Sequence, residues 1–248
     1  KGYKAGGFNT QMFSDVLQQQ VMKQMGFGSL YDVADVVTYK PEKSWNYEVG
    51  AHLSTPSHKV QADLALFYID CRDQQLTVFP EGQVTGRLMT NAGRTRSFGG
   101  EASLLATLWR NLDLQVAYGY TRATFVKFDT GKADYAGNFI PYAPQHTLYA
   151  GASYTLRTGW NWLEYVIFRV AANGAGRIYW NEANTFSQPF YALLEASIRF
   201  EHRHWAVDVW GRNLTDTRYD TFYFMSIGNS FLQRGRPRTF GVSLSITL

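Results

Sequence analysis

Polar and apolar residues alternate along most of this chain, and the alternation is most regular in its last eleven residues, RTFGVSLSITL. From Phe240 to Leu248 every second residue is apolar, and the residues between them are small or polar. Because successive side chains of a β-strand point to opposite faces, this segment predicts a strand with one apolar and one polar face. A soluble sandwich can contain such a strand, but the same pattern recurs in about ten segments of the chain.

The recurring pattern and the lengths of the connections predict an all-β protein, an antiparallel transmembrane β-barrel. The predicted strands cover residues 1–8, 45–53, 59–69, 91–108, 112–125, 145–156, 163–177, 189–200, 205–213 and 238–248. Short connections lie near 55–58, 109–111, 157–162 and 201–204, and long ones cover 10–42, 73–90, 127–144, 178–188 and 214–237. In outer-membrane barrels the short turns face the periplasm and the long loops face outside.

Aromatic residues cluster near both ends of the predicted strands. Trp109, Trp160, Trp162 and Trp205 lie beside short turns, and Trp45, Tyr120, Phe125, Tyr179 and Trp180 lie toward the long loops. Two such rows are expected where a barrel crosses the two membrane surfaces. The alternative is that aromatic residues end strands in many β proteins.

Composition is consistent with a barrel and argues against other classes. Aromatic residues make up 16% of the chain and hydrophobic residues 45%, yet the mean hydropathy is −0.27. No apolar run approaches the roughly 18 residues of a membrane helix. The 24 basic and 20 acidic residues are interspersed, which argues against nucleic-acid binding.

The chemistry-bearing residues do not form a recognisable catalytic or metal site. Cys71 is a single cysteine and offers neither an internal disulfide nor a Cys/His metal cluster. The five histidines are scattered, and no Ser/His/Asp arrangement is recognisable. We therefore expect no enzyme activity and no cofactor; an outer-membrane protease or phospholipase is the enzymatic alternative.

Six stretches together resemble one family. They are KGYKAGGFNTQMFSD, YKPEKSWNYEVG, FYIDCRDQQL, NAGRTRSFGGEASL, PYAPQHTLYAGASY, and NLTDTRYDTFYF through QRGRPRTFGVSLSITL. In this order they resemble the second half of the barrel of TonB-dependent outer-membrane receptors, especially the ferric-siderophore type found in Bacteroidetes-like bacteria.

The resemblance implies a plugged barrel of about 22 strands. This chain would supply its last ten strands, and the plug, the first strands and the segment that contacts TonB would lie outside it. The implied function is import of a ferric siderophore or a similar scarce nutrient across the outer membrane of a Gram-negative bacterium, with lipid around the barrel and energy from TonB. The alternative from another class is a porin-like or adhesin barrel without a plug.

Two sets of residues are candidate sites. The polar set predicted to line the lumen is Glu48, Asp63, Glu101, Gln115, Glu195, Arg199, Asp208 and Arg212. The structural alternative is that these groups pair with the plug or with one another, because an unpaired buried charge is costly. The loop residues predicted to contact an aromatic or anionic chelate are Phe79, Arg87, Tyr135, Tyr142, Tyr179, Trp180, Tyr223 and Phe224. For these the alternative is packing within the loops or in the aromatic rows.

Two further segments carry predictions. The NLTD segment, with Arg218, Arg234, Arg236 and Arg238, is predicted to shape the last outer loop, with ligand contact as the alternative. Residues 12–25, MFSDVLQQQVMKQM, predict a short helix within the first long loop.

Overall fold

Ten strands form one antiparallel sheet in the computed structural model, which describes residues 1–9, 24–25, 37–78, 88–109, 111–130, 133–226 and 229–247. Nearly every strand of this sheet pairs with its neighbour in the sequence. The predicted fold class is confirmed. Most of the predicted helix, residues 12–25, lies outside the described residues.

The strands of the sheet are β1 (Gly2–Lys4), β4 (Glu42–Ser54), β5 (Val60–Val78), β6 (Leu88–Leu108), β7 (Leu112–Lys127), β8 (His146–Trp160), β9 (Leu163–Gly176), β12 (Tyr191–His202), β13 (Trp205–Arg212) and β16 (Thr239–Ile246). Three two-stranded ribbons lie outside the sheet: β2 (Gly7–Phe8) with β3 (Thr38–Tyr39), β10 (Ile178–Tyr179) with β11 (Ser187–Gln188), and β14 (Asp220–Ser226) with β15 (Asn229–Arg234).

Strand register separates the apolar and polar residues onto opposite faces. Residues directly opposite each other in neighbouring strands share a face, and Val116 of β7 pairs with Leu104 of β6 and Ala150 of β8. On β16 the alternating apolar side chains remain largely exposed, with Phe240 at 69% and Ile246 at 67%. An exposed apolar surface that crosses all ten strands is the face expected to contact lipid.

The polar face is concave. A cavity of about 600 Å³ is lined by side chains from β6 through β16, which are seven different strands. In a flat sheet β6 and β16 would lie roughly 29 Å apart, because neighbouring strands are about 4.8 Å apart. The sheet therefore curls around this face as the wall of a barrel does.

The short turns lie at one edge of the sheet and the long loops at the other. Trp109, Trp160 and Trp162 are exposed at the short-turn edge, and the rings of Trp160 and Trp162 stack at 5.3 Å. The prediction that Phe125 and Trp180 belong to an aromatic row at the opposite edge is wrong, because these side chains are only 1% and 7% exposed. The long loops cover both side chains, and the alternation of polar and apolar residues does not predict where those loops lie.

Strands β5 and β6 extend well beyond the predicted bounds on the long-loop side. β5 ends at Val78 rather than near Ile69, and β6 begins at Leu88, so much of the predicted loop 73–90 is a continuation of the hairpin. The ribbons β10–β11 and β14–β15 likewise lie in segments predicted as loops.

Among the described residues, no helix has both the length and the apolar character needed to cross a bilayer.

Candidate functional site

The register places the whole predicted lumen set on the polar face of the sheet. The eight members are Glu48, Asp63, Glu101, Gln115, Glu195, Arg199, Asp208 and Arg212. Gln115, Glu195, Asp208 and Arg212 line the cavity of about 600 Å³, and Glu48, Asp63 and Glu101 line a neighbouring cavity of about 820 Å³. That these residues line the lumen of a closed barrel stays a prediction.

One hydrogen-bonded group on this face joins β4, β5 and β6. His52 Nδ1 lies 2.5 Å from Asp63 Oδ1, and the Ser103 hydroxyl donates to Asp63 Oδ2 at 2.9 Å. Ser103 thus bonds the carboxylate and not the imidazole, whereas nucleophilic catalysis requires a hydroxyl bonded to the histidine. In this group, side chains of the two neighbouring strands hold the Asp63 carboxylate on the polar face.

A second group joins β12 to β13 near the short-turn edge. Arg199 donates through Nε to Glu201 at 2.7 Å and through Nη1 to Asp208 at 2.6 Å. On β9, Asn173 donates its side-chain amide to Glu195 at 3.1 Å. Within the described residues, two lumen candidates, Arg199 and Asp208, therefore pair with each other, and Asp63 and Glu195 bond other side chains of the same face.

Three long loops meet in an aromatic cluster, which we call the loop cluster. It comprises Phe139, Tyr142, Tyr179, Trp180, Phe186, Phe222, Tyr223, Phe224 and Phe231. The ring of Tyr142 lies 5.5 Å from Trp180 and stacks on Phe222 at 5.4 Å. The Tyr142 hydroxyl also donates to the carbonyl of Tyr223 at 2.9 Å, which ties the β7–β8 loop to the β14–β15 hairpin.

Five of the predicted loop residues lie in the loop cluster, but their accessibility differs. Trp180 and Tyr223 are each 7% exposed and pack inside it, while Tyr142, Tyr179 and Phe224 are half-buried. The accessible members could stack on a planar chelate, and the buried members hold them in place.

Tyr135 lies in a separate core at the base of the β7–β8 loop. Its ring is 5.5 Å from Phe128, and Phe128 lies 4.9 Å from the fully buried Phe125. This core also contains Ala92, Ala123 and Ile140. Phe79 and Arg87, the other two loop candidates, lie outside the described residues.

Burial changes the pKa of Tyr142, a member of the loop cluster, and of Glu182 beside it. Desolvation raises the pKa of Glu182 above its ordinary value. Desolvation, with a smaller contribution from the nearby Glu182 charge, raises the pKa of Tyr142 to about 12. Tyr142 therefore stays a neutral hydrogen-bond donor at physiological pH.

The NLTD segment forms the base of the last long loop. Asn213, which is 5% exposed, donates to the carbonyls of Thr217 at 3.0 Å and Arg236 at 3.1 Å and accepts from the Thr217 amide at 2.9 Å. The carboxylate of Asp216 accepts from the amide of Arg238 at 3.0 Å. This geometry agrees with the predicted structural role.

Sequence reasoning missed four members of the loop cluster, which are Phe139, Phe186, Phe222 and Phe231. For Phe222 a signal was available, because the segment TFYF has the aromatic and β-branched composition of a strand. Within the described part of the chain, no group of three or more His, Cys, Asp or Glu residues is placed to hold a metal ion.

Comparison with known proteins agrees with this architecture. Residues 1–214 match the family model described as TonB dependent receptor-like, beta-barrel. The chain therefore belongs to the TonB-dependent receptor β-barrel family. Membership confirms the predicted outer-membrane location. The narrower likeness to Bacteroidetes receptors stays a prediction.

Particular relatives cover the chain at low identity. The pesticin receptors of Yersinia pestis and Yersinia enterocolitica are each 28% identical over 218 residues, which is 86% of this chain and 30% of each relative. The crystal structure of the ferric yersiniabactin uptake receptor FyuA from Yersinia pestis superposes with a TM-score of 0.74 at 23% identity, covering 99% of this chain and 33% of that one. The copper transporter OprC superposes with a TM-score of 0.63 at 16% identity, over 84% and 31%. The chain thus spans about a third of the length of these relatives.

Proposed function

We propose that this chain is the C-terminal part of a plugged outer-membrane barrel that imports a ferric siderophore or a similar scarce nutrient, with energy supplied through TonB. The observation that carries the proposal is the curled ten-stranded sheet, which has a lipid-type apolar face, a charged concave face and an aromatic cluster on its long loops. The family match adds weight, as do relatives named for a ferric siderophore.

The open edges of the sheet support the proposed size of the whole barrel. β1 and β16 end the described sheet and do not pair with each other. In a membrane, unpaired backbone groups cost several kcal/mol each, so further strands are needed to close the barrel. On this proposal the first strands, the plug and the TonB-contacting segment lie outside this chain.

The loop cluster is the proposed place of first contact with the chelate. The half-buried ring of Phe224 stacks on Phe231, which is 46% exposed, so a planar chelating group can reach the edge of this stacked pair. Ring stacking contributes about 0.5–1.5 kcal/mol, so Phe224→Ala should weaken binding about 2- to 12-fold. Phe168→Ala is the control, because Phe168 is an exposed phenylalanine that lies on the apolar face and away from the long loops.

Binding is measured with the native full-length protein in detergent, using quenching of its tryptophan fluorescence by ferric catecholate, hydroxamate and citrate complexes. At least one complex should bind at micromolar concentration or below, and Phe224→Ala should weaken it selectively. Equal affinities for wild type, Phe224→Ala and Phe168→Ala would refute the assignment of the loop cluster.

Electrical conductance separates the plugged receptor from the porin alternative. A plugged barrel reconstituted in a planar bilayer should show no large, steady openings, whereas a diffusive porin should show them as soon as it inserts. Large steady openings of the intact protein would contradict the proposal.

A further inference from the structure

Two neighbouring short turns enclose a polar pocket at the short-turn edge of the sheet. The β8–β9 turn and the β12–β13 turn lie side by side, because β9 pairs with both β8 and β12. The pocket between them has a volume of about 480 Å³, which lies in the range of small-ligand sites. We call it the turn pocket. The residues that line it include Arg157, Trp160, Asn161, Glu164, His202 and Arg203.

Hydrogen bonds hold both turns in place. In the β8–β9 turn the Thr158 hydroxyl donates to the carbonyl of Leu163 and accepts from the amide of Trp160 at 3.1 Å. In the β12–β13 turn the carbonyl of His204 accepts from the amide of Thr247 at 2.9 Å, which ties this turn to the end of the last strand. Because the turns are already ordered, a ligand that binds between them loses little affinity to ordering them.

The turn pocket carries positive charge that the protein does not neutralise. Among the described residues, the exposed side chains of Arg157 and Arg203 make no ion pair and no hydrogen bond. The nearby Arg199, by contrast, donates to Glu201 and to another carboxylate of the same face. Of the described residues that line the pocket, Glu164 supplies the single carboxylate against two guanidinium groups. The pocket therefore favours a ligand with more anionic than cationic groups.

The turn pocket reaches the polar face of the sheet. Arg157 pairs with Tyr165, and Tyr165 pairs with Glu201, so these three residues share the face that also carries Arg199 and Asp208. This face is opposite the apolar one expected to contact lipid. Since short turns of outer-membrane barrels face the periplasm, a ligand that reaches Arg157 comes from the periplasmic water.

An apolar platform lies beside the charges. Trp160 is 56% exposed, and its ring stacks on that of Trp162, which is 63% exposed, at 5.3 Å and 13°. Two parallel exposed indole rings offer a broad flat surface on which the C–H groups of a sugar ring can pack. The alternative is that both rings only settle at the membrane surface, as aromatic residues of barrels do.

We propose that the turn pocket binds the peptidoglycan of the cell wall, through the short acidic peptide that its amino sugars carry. Such a peptide has more carboxylates than amines. Its carboxylates accept hydrogen bonds from Arg157 and Arg203, whose guanidinium groups match them in a bidentate geometry. An amine pairs with Glu164, and a sugar ring packs on Trp160.

A phospholipid headgroup also carries both charges, but Arg157 and Tyr165 lie on the polar face, away from lipid. Peptidoglycan is therefore the favoured partner. The proposal uses the outer-membrane location and the periplasmic orientation of the short turns, and it is independent of the cargo proposed above.

The test measures binding of a soluble cell-wall fragment to the native full-length protein in an uncharged detergent by microscale thermophoresis. The probes are the disaccharide peptide released from purified peptidoglycan and the same fragment with its carboxylates amidated. Wild type should bind the unmodified fragment about tenfold more tightly, because charge-assisted hydrogen bonds are lost on amidation. Equal binding of the two fragments, or binding of neither, would overturn the proposal.

Arginine variants locate the binding. Arg157→Gln combined with Arg203→Gln should weaken binding of the unmodified fragment about tenfold, and the corresponding Arg→Lys pair should retain part of it. The control is Arg72→Gln with Arg236→Gln, which removes the same charge from exposed positions on the long-loop side and should leave the affinity unchanged. Equal affinities of wild type and the turn-pocket variant would refute the site.

A tryptophan pair tests the sugar contact. Trp160→Ala should weaken binding about 2- to 12-fold. Trp109→Ala is the control, because Trp109 is 82% exposed at a different short turn. Equal effects of the two substitutions would assign Trp160 to the membrane surface and contradict the sugar contact.

Two further arms complete the test. Micelles containing phosphatidylethanolamine should not displace the fragment; full displacement would assign the pocket to a lipid headgroup and overturn the proposal. Each variant should keep the heat-modifiable migration of a folded barrel in gel electrophoresis. If the double arginine variant fails to fold, Arg203→Gln alone gives the same comparison, because this exposed turn side chain can be truncated without leaving a cavity.

Discussion

A charge placed on the apolar face should destabilise the barrel far more than the same charge placed one residue away on the polar face. Val116 is the middle one of the five outward residues from Leu112 to Tyr120 of β7 and so lies near the middle of the membrane span. Its side chain is 41% exposed and sits between Leu104 and Ala150. Arginine at the mid-plane of a lipid-facing strand costs about 2–4 kcal/mol of folding free energy. Val116→Arg should therefore lower the folding equilibrium constant about 30- to 900-fold.

The matched control is Gln115→Arg, the neighbouring residue on the polar face. Gln115 lines the cavity of about 600 Å³ together with Asp113, so an arginine there meets polar neighbours and should cost about 1 kcal/mol or less. Both variants of the full-length protein are unfolded with urea from lipid vesicles and followed by tryptophan fluorescence. Equal losses of stability, or a larger loss for Gln115→Arg, would refute the assignment of the two faces.

Three other predictions test the loops. In a background with the native Cys71 replaced by alanine, a cysteine at Ala136 should react with an impermeant thiol reagent on intact cells and one at Ser57 should not; the reverse pattern would invert the topology. Desolvation raises the pKa of Glu182 in the folded loop, so the protonated carboxyl group favours the folded loop. This contribution to stability is fully present below pH 4.5, the ordinary pKa of the group, and is lost as the pH rises through the folded pKa. Glu182→Gln should therefore increase hydrogen-exchange protection of its loop at neutral pH but not at pH 4, and no change at pH 7 would contradict the desolvated carboxylate. Asn213→Ala removes three buried hydrogen bonds and should cost about 1–3 kcal/mol of local stability, seen as faster proteolysis of the last loop, and unchanged proteolysis would show that Asn213 does not hold the base of that loop.

Strands within the membrane were predictable because lipid on one face and polar contacts on the other impose strict alternation. All ten strands of the sheet correspond to predicted segments, from the short β1 at the start to β16 at the end. The face on which each residue of a strand lies could also be inferred, since a register shift by one residue would exchange the two faces.

Beyond the membrane the same constraint is lost. Asp70 and Arg72 lie on the outward face of β5, directly after Ile69, where the alternation of apolar and polar residues that predicted this strand ends. In water these charges are allowed, so the hairpin continues. Strand extensions of this kind are recognised from the strand they pair with, and the alternation of polar and apolar residues alone does not identify them.

The loop cluster was partly predictable. The aromatic residues of the long loops, such as Tyr142, Trp180 and Tyr223, were predicted to contact the chelate. Which of their rings are buried depends on contacts between loops far apart in the chain. The Tyr142 hydroxyl bond to Tyr223, for example, joins residues 81 positions apart. Such contacts leave no local pattern in the sequence.

Uptake of iron-55 by whole cells tests the central claim most directly. The source strain, a strain lacking the full-length gene, and a strain lacking TonB are each given ferric catecholate, hydroxamate and citrate complexes under iron limitation. The account predicts that at least one complex is taken up by the source strain and that this uptake is lost in both mutants and restored by the intact gene. The account would be contradicted if all three complexes were still taken up by the strain without the gene. It would also be contradicted if uptake needed the gene but not TonB.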